Sequence, residues 1–139
     1  MSNYPLSLNV TGKRVIVVGA GSVAARRVPG LVHAGAHVIV IADSVHDEIR
    51  ALADSGRITL LERRYSEGDL YGAWLVHAAT GDPDVDAAIA GHAYDDGIWC
   101  GVAGEGVFQR EAGALAETGE NQRFAGRFGA EIGDRVGEA

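Results

Sequence analysis

Arg14-Val15-Ile16-Val17-Val18-Gly19-Ala20-Gly21-Ser22-Val23-Ala24 is the stretch whose reading decides the fold. Its first five residues are an unbroken, mostly β-branched run with no polar alternation after Arg14. A strand covered on both faces reads this way, as in a parallel sheet. The run passes directly into the pattern G-x-G-x-x-A. Gly19 permits a tight strand-to-helix turn, Gly21 lets backbone approach a pyrophosphate, and Ala24 lets the following helix pack closely on the strand. The N–H groups at the helix start, around Ser22 and Val23, then face the anion with the helix dipole behind them. A glycine motif alone is weak, but here a strand precedes it and a helix follows, as the mechanism requires. The competing reading is a glycine-rich turn that holds no ligand.

Working outward, a helix is expected over 22–34, with Val23, Val28, Leu31 and Val32 on its buried side. Pro29 removes one backbone donor, which predicts a bend. Gly35 is placed to end the helix. His37–Ile41 is a second buried-type strand. Asp43 follows it, about twenty residues beyond the glycine turn, where an acid can accept hydrogen bonds from the adenosine ribose and repel a 2′-phosphate. That placement favours NAD over NADP; the alternative is that Asp43 caps the next helix. Ser44, counted with Asp43 at the cofactor site, is also a candidate cap for a helix over 44–54.

Further strands are expected at 58–61, 74–78 and 98–102, and a helix at 84–94 with Val85, Ala88, Ile89 and His92 on one side. Alternating strands and helices at short intervals indicate βαβ units with right-handed crossovers. The fold class is therefore α/β: a Rossmann-type doubly wound parallel sheet of order 3-2-1-4-5. Ala78-Ala79-Thr80-Gly81-Asp82 follows the fourth strand, and its small residues leave room for a cofactor. Thr80 can bond the cofactor or cap the next helix. His77, His92 and His37 fall on packed elements and read as structural histidines with their hydrogen bonds satisfied. Arg63-Arg64 could meet an acidic substrate, although adjacent arginines are usually just solvated.

Composition excludes more than it identifies. The chain has 139 residues, 47% hydrophobic and 22% charged, which suits one ordinary globular core. A formal net charge of −7 argues against nucleic acid and against an anionic membrane surface as partners. No apolar run reaches the ~18 residues of a membrane span, and no basic segment followed by an apolar one opens the chain, so a cytoplasmic location is expected. Cys100 is the single cysteine, and no Cys/His cluster has zinc spacing, so no metal site is assigned.

Residues 103–139 differ from the rest. They lack proline and lysine and are rich in Gly, Ala, Glu and Arg. Phe124, Phe128, Ile132 and Val136 recur at i+4, which suits a weak amphipathic helix. Gly126, Gly129, Gly133 and Gly137 would each cost such a helix about 1 kcal/mol relative to Ala. The chain thus divides into 1–102, a nucleotide-binding domain, and 103–139, a divergent tail that is either a degraded dimerisation segment or a frameshifted end.

Several of these segments together resemble one family. Tyr4-Pro5-Leu6, Gly12-Lys13-Arg14-Val15 and Gly19 through Arg27 look like the opening of the precorrin-2 dehydrogenase domain of siroheme synthases. Leu31 through Ala36, Val38 through Ala42, Trp74-Leu75-Val76, Ala78-Ala79-Thr80, Asp82-Pro83, Val85 and Ile98-Trp99-Cys100 continue the resemblance. It implies NAD as cofactor, precorrin-2 as tetrapyrrole substrate, oxidation to sirohydrochlorin, iron insertion in some members, and a homodimer formed through the segment after the nucleotide-binding domain. The family's pattern after the last strand is Asn-Val-x-Asp, whose aspartate is linked to dehydrogenation and metal insertion. Here those positions read Gly101-Val102-Ala103-Gly104. No catalytic residue is assigned, and a non-catalytic NAD-binding protein or sensor stands as the alternative.

Overall fold

The computed structural model describes residues 4–104 and 108–110. Their strands are β1 (Arg14–Val18), β2 (His37–Ile41), β3 (Thr59–Leu61), β4 (Leu75–Ala78), β5 (Trp99–Val102) and β6 (Phe108–Gln109). The helices are α1 (Ser22–His33), α2 (Asp47–Asp54) and α3 (Pro83–Asp95), with a short 3-10 turn at Glu67–Leu70. The sheet order is β3-β2-β1-β4-β5-β6. The first five strands are mutually parallel, in the order the sequence predicts, and β6 adds an antiparallel edge.

β1 sits at the centre and Val15 to Val18 are all buried, which explains the run without polar alternation. One face joins Ile16, Val18, Ile39, Ile41, Val76 and Cys100 to Ile89, Ala90 and Ala93 of α3. The other joins Val17, Val38 and Val40 to Ala24, Ala25 and Val28 of α1 and Ile49 of α2. Each fully buried Val or Ile contributes about 1.5–3 kcal/mol relative to exposure.

Helix ends follow their chemistry. α1 continues through Pro29 and stops at Ala34. Gly35 then takes φ +85°, while Gly35 N–H donates to Val32 O and Ala36 N–H to Leu31 O. That pair of reversed bonds satisfies the last carbonyls and needs a left-handed residue, which glycine supplies most readily.

Three expectations are corrected. Ser44 does not cap α2; His46 does, its Nδ1 accepting from Glu48 N–H at 3.2 Å. The reason is that His46 N–H donates to Ala20 O at 2.7 Å, so the chain crosses to the glycine turn before a helix can begin. Ala88 is exposed, and the buried face of α3 is Asp86, Ile89, Ala90 and Ala93. The helix is turned to bring the Asp86 carboxylate inward to a partner described below. His37, at the mouth of β2, is exposed rather than packed.

β6 was not foreseen. Gly101 pairs with Phe108, and a Cβ on Gly101 would lie 2.5 Å from the Phe108 ring. The bare Cα of Gly101 lets the Phe108 ring lie over β5; a Cβ there would make the ring shift. Arg110 secures the end by donating from Nε to Gly97 O at 2.6 Å. The amphipathic pattern at Phe124, Phe128, Ile132 and Val136 lies outside the described residues.

Candidate functional site

The carboxyl ends of the parallel strands open into one crevice, where the sheet changes winding direction between β1 and β4. Ligands of doubly wound folds bind at this switch point. Gly19, Gly21, Ser22 and Val23 line the crevice from β1, Asp43 and Ser44 from β2, and Thr80 from β4. The sequence-predicted residues are thus brought together, except Ala24, which is fully buried on the sheet-facing side of α1.

The two glycines do different work. Gly19 has φ +110°, and a Cβ there would overlap the Ala79 carbonyl where β4 ends. It is required by the fold. A Cβ on Gly21 would meet no protein atom within 4 Å. The space over Gly21 is open and belongs to the crevice, so packing does not demand the absent side chain. α1 begins at this point with no side-chain cap and no acidic residue in its first turn. α2 and α3 instead carry caps from His46 and Asp82 and acids in their first turns. The unpaired N–H groups and positive dipole end of α1 form a cradle that a pyrophosphate fits.

Asp43 caps nothing. Its Oδ2 accepts from Arg64 Nε at 3.2 Å across the crevice rim. Arg63 is held elsewhere, its two terminal nitrogens each 2.7 Å from an Asp69 oxygen. That bidentate bond, with burial opposing it, holds the Asp69 carboxyl below its ordinary range.

Thr80 does not cap α3; Asp82 does, accepting from Asp84 and Val85 N–H. The Thr80 hydroxyl donates to Asp86 Oδ1 at 2.7 Å, and Thr80 N–H donates to the same oxygen at 3.0 Å. Sequence reading missed Asp86, because an acid at an inward helical position carries no signal until its loop partner is known.

Tyr65 also lines the crevice, its hydroxyl 2.7 Å from His92 Nδ1. Burial chiefly, with Asp69 and Glu67 adding to it, pushes the phenol up to about 12. His92 is thus a partnered structural histidine, as expected. His77 is not. It is 3% exposed, both ring nitrogens lack a hydrogen-bond partner among the described residues, and its ring lies 5.5 Å from that of Phe108. Among the described residues no group of three or more His, Cys, Asp or Glu could hold a metal ion, and no helix is long and apolar enough to cross a membrane.

This fold and crevice define a dinucleotide-binding protein of the doubly wound class. Residues 6–108 match the family described as "Putative NAD(P)-binding", and the chain belongs to that family. Its cofactor is accordingly of the NAD type, and it is similar to the siroheme synthase N-terminal, precorrin-2 dehydrogenase-like proteins. Siroheme synthase of Nitrosococcus oceani is 38% identical over 103 residues, which are 74% of this chain and 22% of that protein. Siroheme synthase of Pseudomonas paraeruginosa is 40% identical over 98 residues, 70% of this chain and 21% of that protein. The chain therefore spans about a fifth of the length of these relatives. The solved structure of "SirC, precorrin-2 dehydrogenase" shares the fold, with a TM-score of 0.67 at 22% identity over 93% of this chain and 71% of that one.

Proposed function

We propose that this chain is an NAD-dependent dehydrogenase of siroheme synthesis that oxidises precorrin-2 to sirohydrochlorin. The observation that carries the reading is one crevice lined by the uncapped start of α1, by Asp43 and by Thr80, in a chain similar to siroheme synthases. Bound NAD supplies a hydride acceptor.

The chain's own residues bind and orient. The N–H groups at Gly21, Ser22 and Val23 hold the pyrophosphate. Asp43 accepts from the ribose hydroxyls and favours NAD over NADP. Ala79 and Thr80 form a small-residue floor at the switch point, with Asp86 fixing Thr80 from below. Reaction requires the tetrapyrrole and cofactor to be held at reacting distance, which a rigid floor supports.

Oxidation by two electrons removes a hydride and a proton, and the proton needs an acceptor. Gly104, where the family pattern has aspartate, is exposed, has φ +91° and offers only backbone. The same absence leaves no side chain there for iron insertion. It favours a second reading, a non-catalytic NAD-binding protein or sensor. Turnover separates the two: NADH formation with precorrin-2 supports the dehydrogenase, and NAD binding without turnover supports the sensor. Homodimerisation through residues beyond 102 is part of the first reading, checked by sedimentation.

A further inference from the structure

Arg64 and Asp43 face each other at the crevice rim from the segments following β3 and β2. At this position of a doubly wound fold an acid serves the free 2′-hydroxyl of NAD, whereas a nearby arginine accommodates the 2′-phosphate of NADP. This chain carries both groups, 3.2 Å apart. Their side chains are 90% and 61% exposed, so solvent screens the pair and both are free to rotate. Arg63 cannot take this part, because Asp69 engages it from both terminal nitrogens.

We propose that Arg64 is a specificity-determining residue that moderates the selectivity set by Asp43, turning from the carboxylate to a 2′-phosphate when NADP enters. With NAD bound, Arg64 stays on Asp43 and orients it toward the ribose. With NADP bound, the guanidinium offsets the repulsion between Asp43 and the phosphate. The site therefore keeps measurable NADP affinity where an acid alone would reject it. The inference rests on the reading of the crevice as an NAD site.

Calorimetric titration of the full chain with NAD and with NADP tests it. Arg64→Gln should weaken NADP by about fivefold and NAD by less than about twofold, the scale of one exposed charge pair. Asp43→Asn should shift the ratio the other way. Arg63→Gln removes the same charge one residue away and should leave the ratio unchanged. An unchanged ratio in Arg64→Gln, or an equal shift in Arg63→Gln, overturns the role of Arg64 while leaving NAD binding intact. Failure of the unaltered chain to bind either nucleotide overturns the NAD site itself, and this inference with it.

Discussion

Asp86 Oδ1 accepts two hydrogen bonds from Thr80, one from its backbone N–H at 3.0 Å and one from its hydroxyl at 2.7 Å. A buried carboxylate on α3 thereby fixes the loop that floors the crevice. Hydrogen bonds to charged groups are worth about 1.5–3 kcal/mol, and an abandoned buried donor adds its own cost. Asp86→Ala should lower stability by about 2–3 kcal/mol and weaken NAD binding, read by denaturant titration and calorimetry. Thr80→Val, which keeps the backbone bond, should cost about 1 kcal/mol. Equal effects of the two would show that the backbone bond contributes nothing.

Gly19 and Gly21 should fail in opposite ways. Gly19→Ala places a Cβ against the Ala79 carbonyl at a left-handed φ, so it should destabilise the fold by at least about 1–3 kcal/mol. The Cβ of Gly21→Val meets no protein atom within 4 Å among the described residues, and the variant should melt within a few degrees of the parent. It should nevertheless lose NAD binding, because the side chain enters the pyrophosphate cradle. Normal NAD affinity in Gly21→Val would remove the pyrophosphate from this turn.

His77 should make stability fall in mild acid. Burial, reinforced by Arg27 and opposed by Asp86, holds its imidazole below the ordinary 6.5. The unfolded chain then binds a proton that the folded chain does not, so stability is complete above about pH 6.5 and declines as pH drops through the folded value. With no hydrogen bond to lose among the described residues, His77→Phe should cost little at pH 8 and gain relative to the parent near pH 5. Chemical denaturation at the two pH values checks this; parallel pH profiles would show that other groups set the slope.

These cases show what the sequence could and could not reveal. Buried strands, the glycine turn and the sheet order were legible because they follow from unbroken apolar runs and from glycines with separate steric duties. Asp43 and Thr80 were legible as positions but not as partners, since Arg64 and Asp86 reach them from elsewhere in the chain. His46 as a cap was hidden because histidine is a rare acceptor at helix starts, and the bond from His46 N–H to Ala20 O is a tertiary constraint. β6 was hidden because Phe108–Gln109 is too short to show periodicity, and the seat of the Phe108 ring over Gly101 is a tertiary contact.

The activity prediction concerns Gly104. A general acid or base must reach its proton within about 2.6–3.2 Å, which backbone alone at Gly104 does not provide. Such a group contributes about 10²–10⁴-fold. The chain should therefore bind NAD but form NADH from precorrin-2 more slowly, by up to that factor, than a family member carrying the aspartate. Gly104→Asp should recover part of the rate. Among the described residues no atom lies within 4 Å of the new Cβ, but φ +91° is strained for an L-residue, so the variant should also lose about 1–2 kcal/mol of stability. Aspartate tolerates left-handed backbone better than most residues, so the variant should still fold. Gly104→Asn, equal in shape and without the carboxylate, should carry the same stability loss and recover none of the rate. Recovery in both variants would trace the gain to backbone geometry instead of proton transfer. Full family-level turnover by the unaltered chain would show that the proton leaves by another route, with Asp82 at the crevice the first side chain to replace.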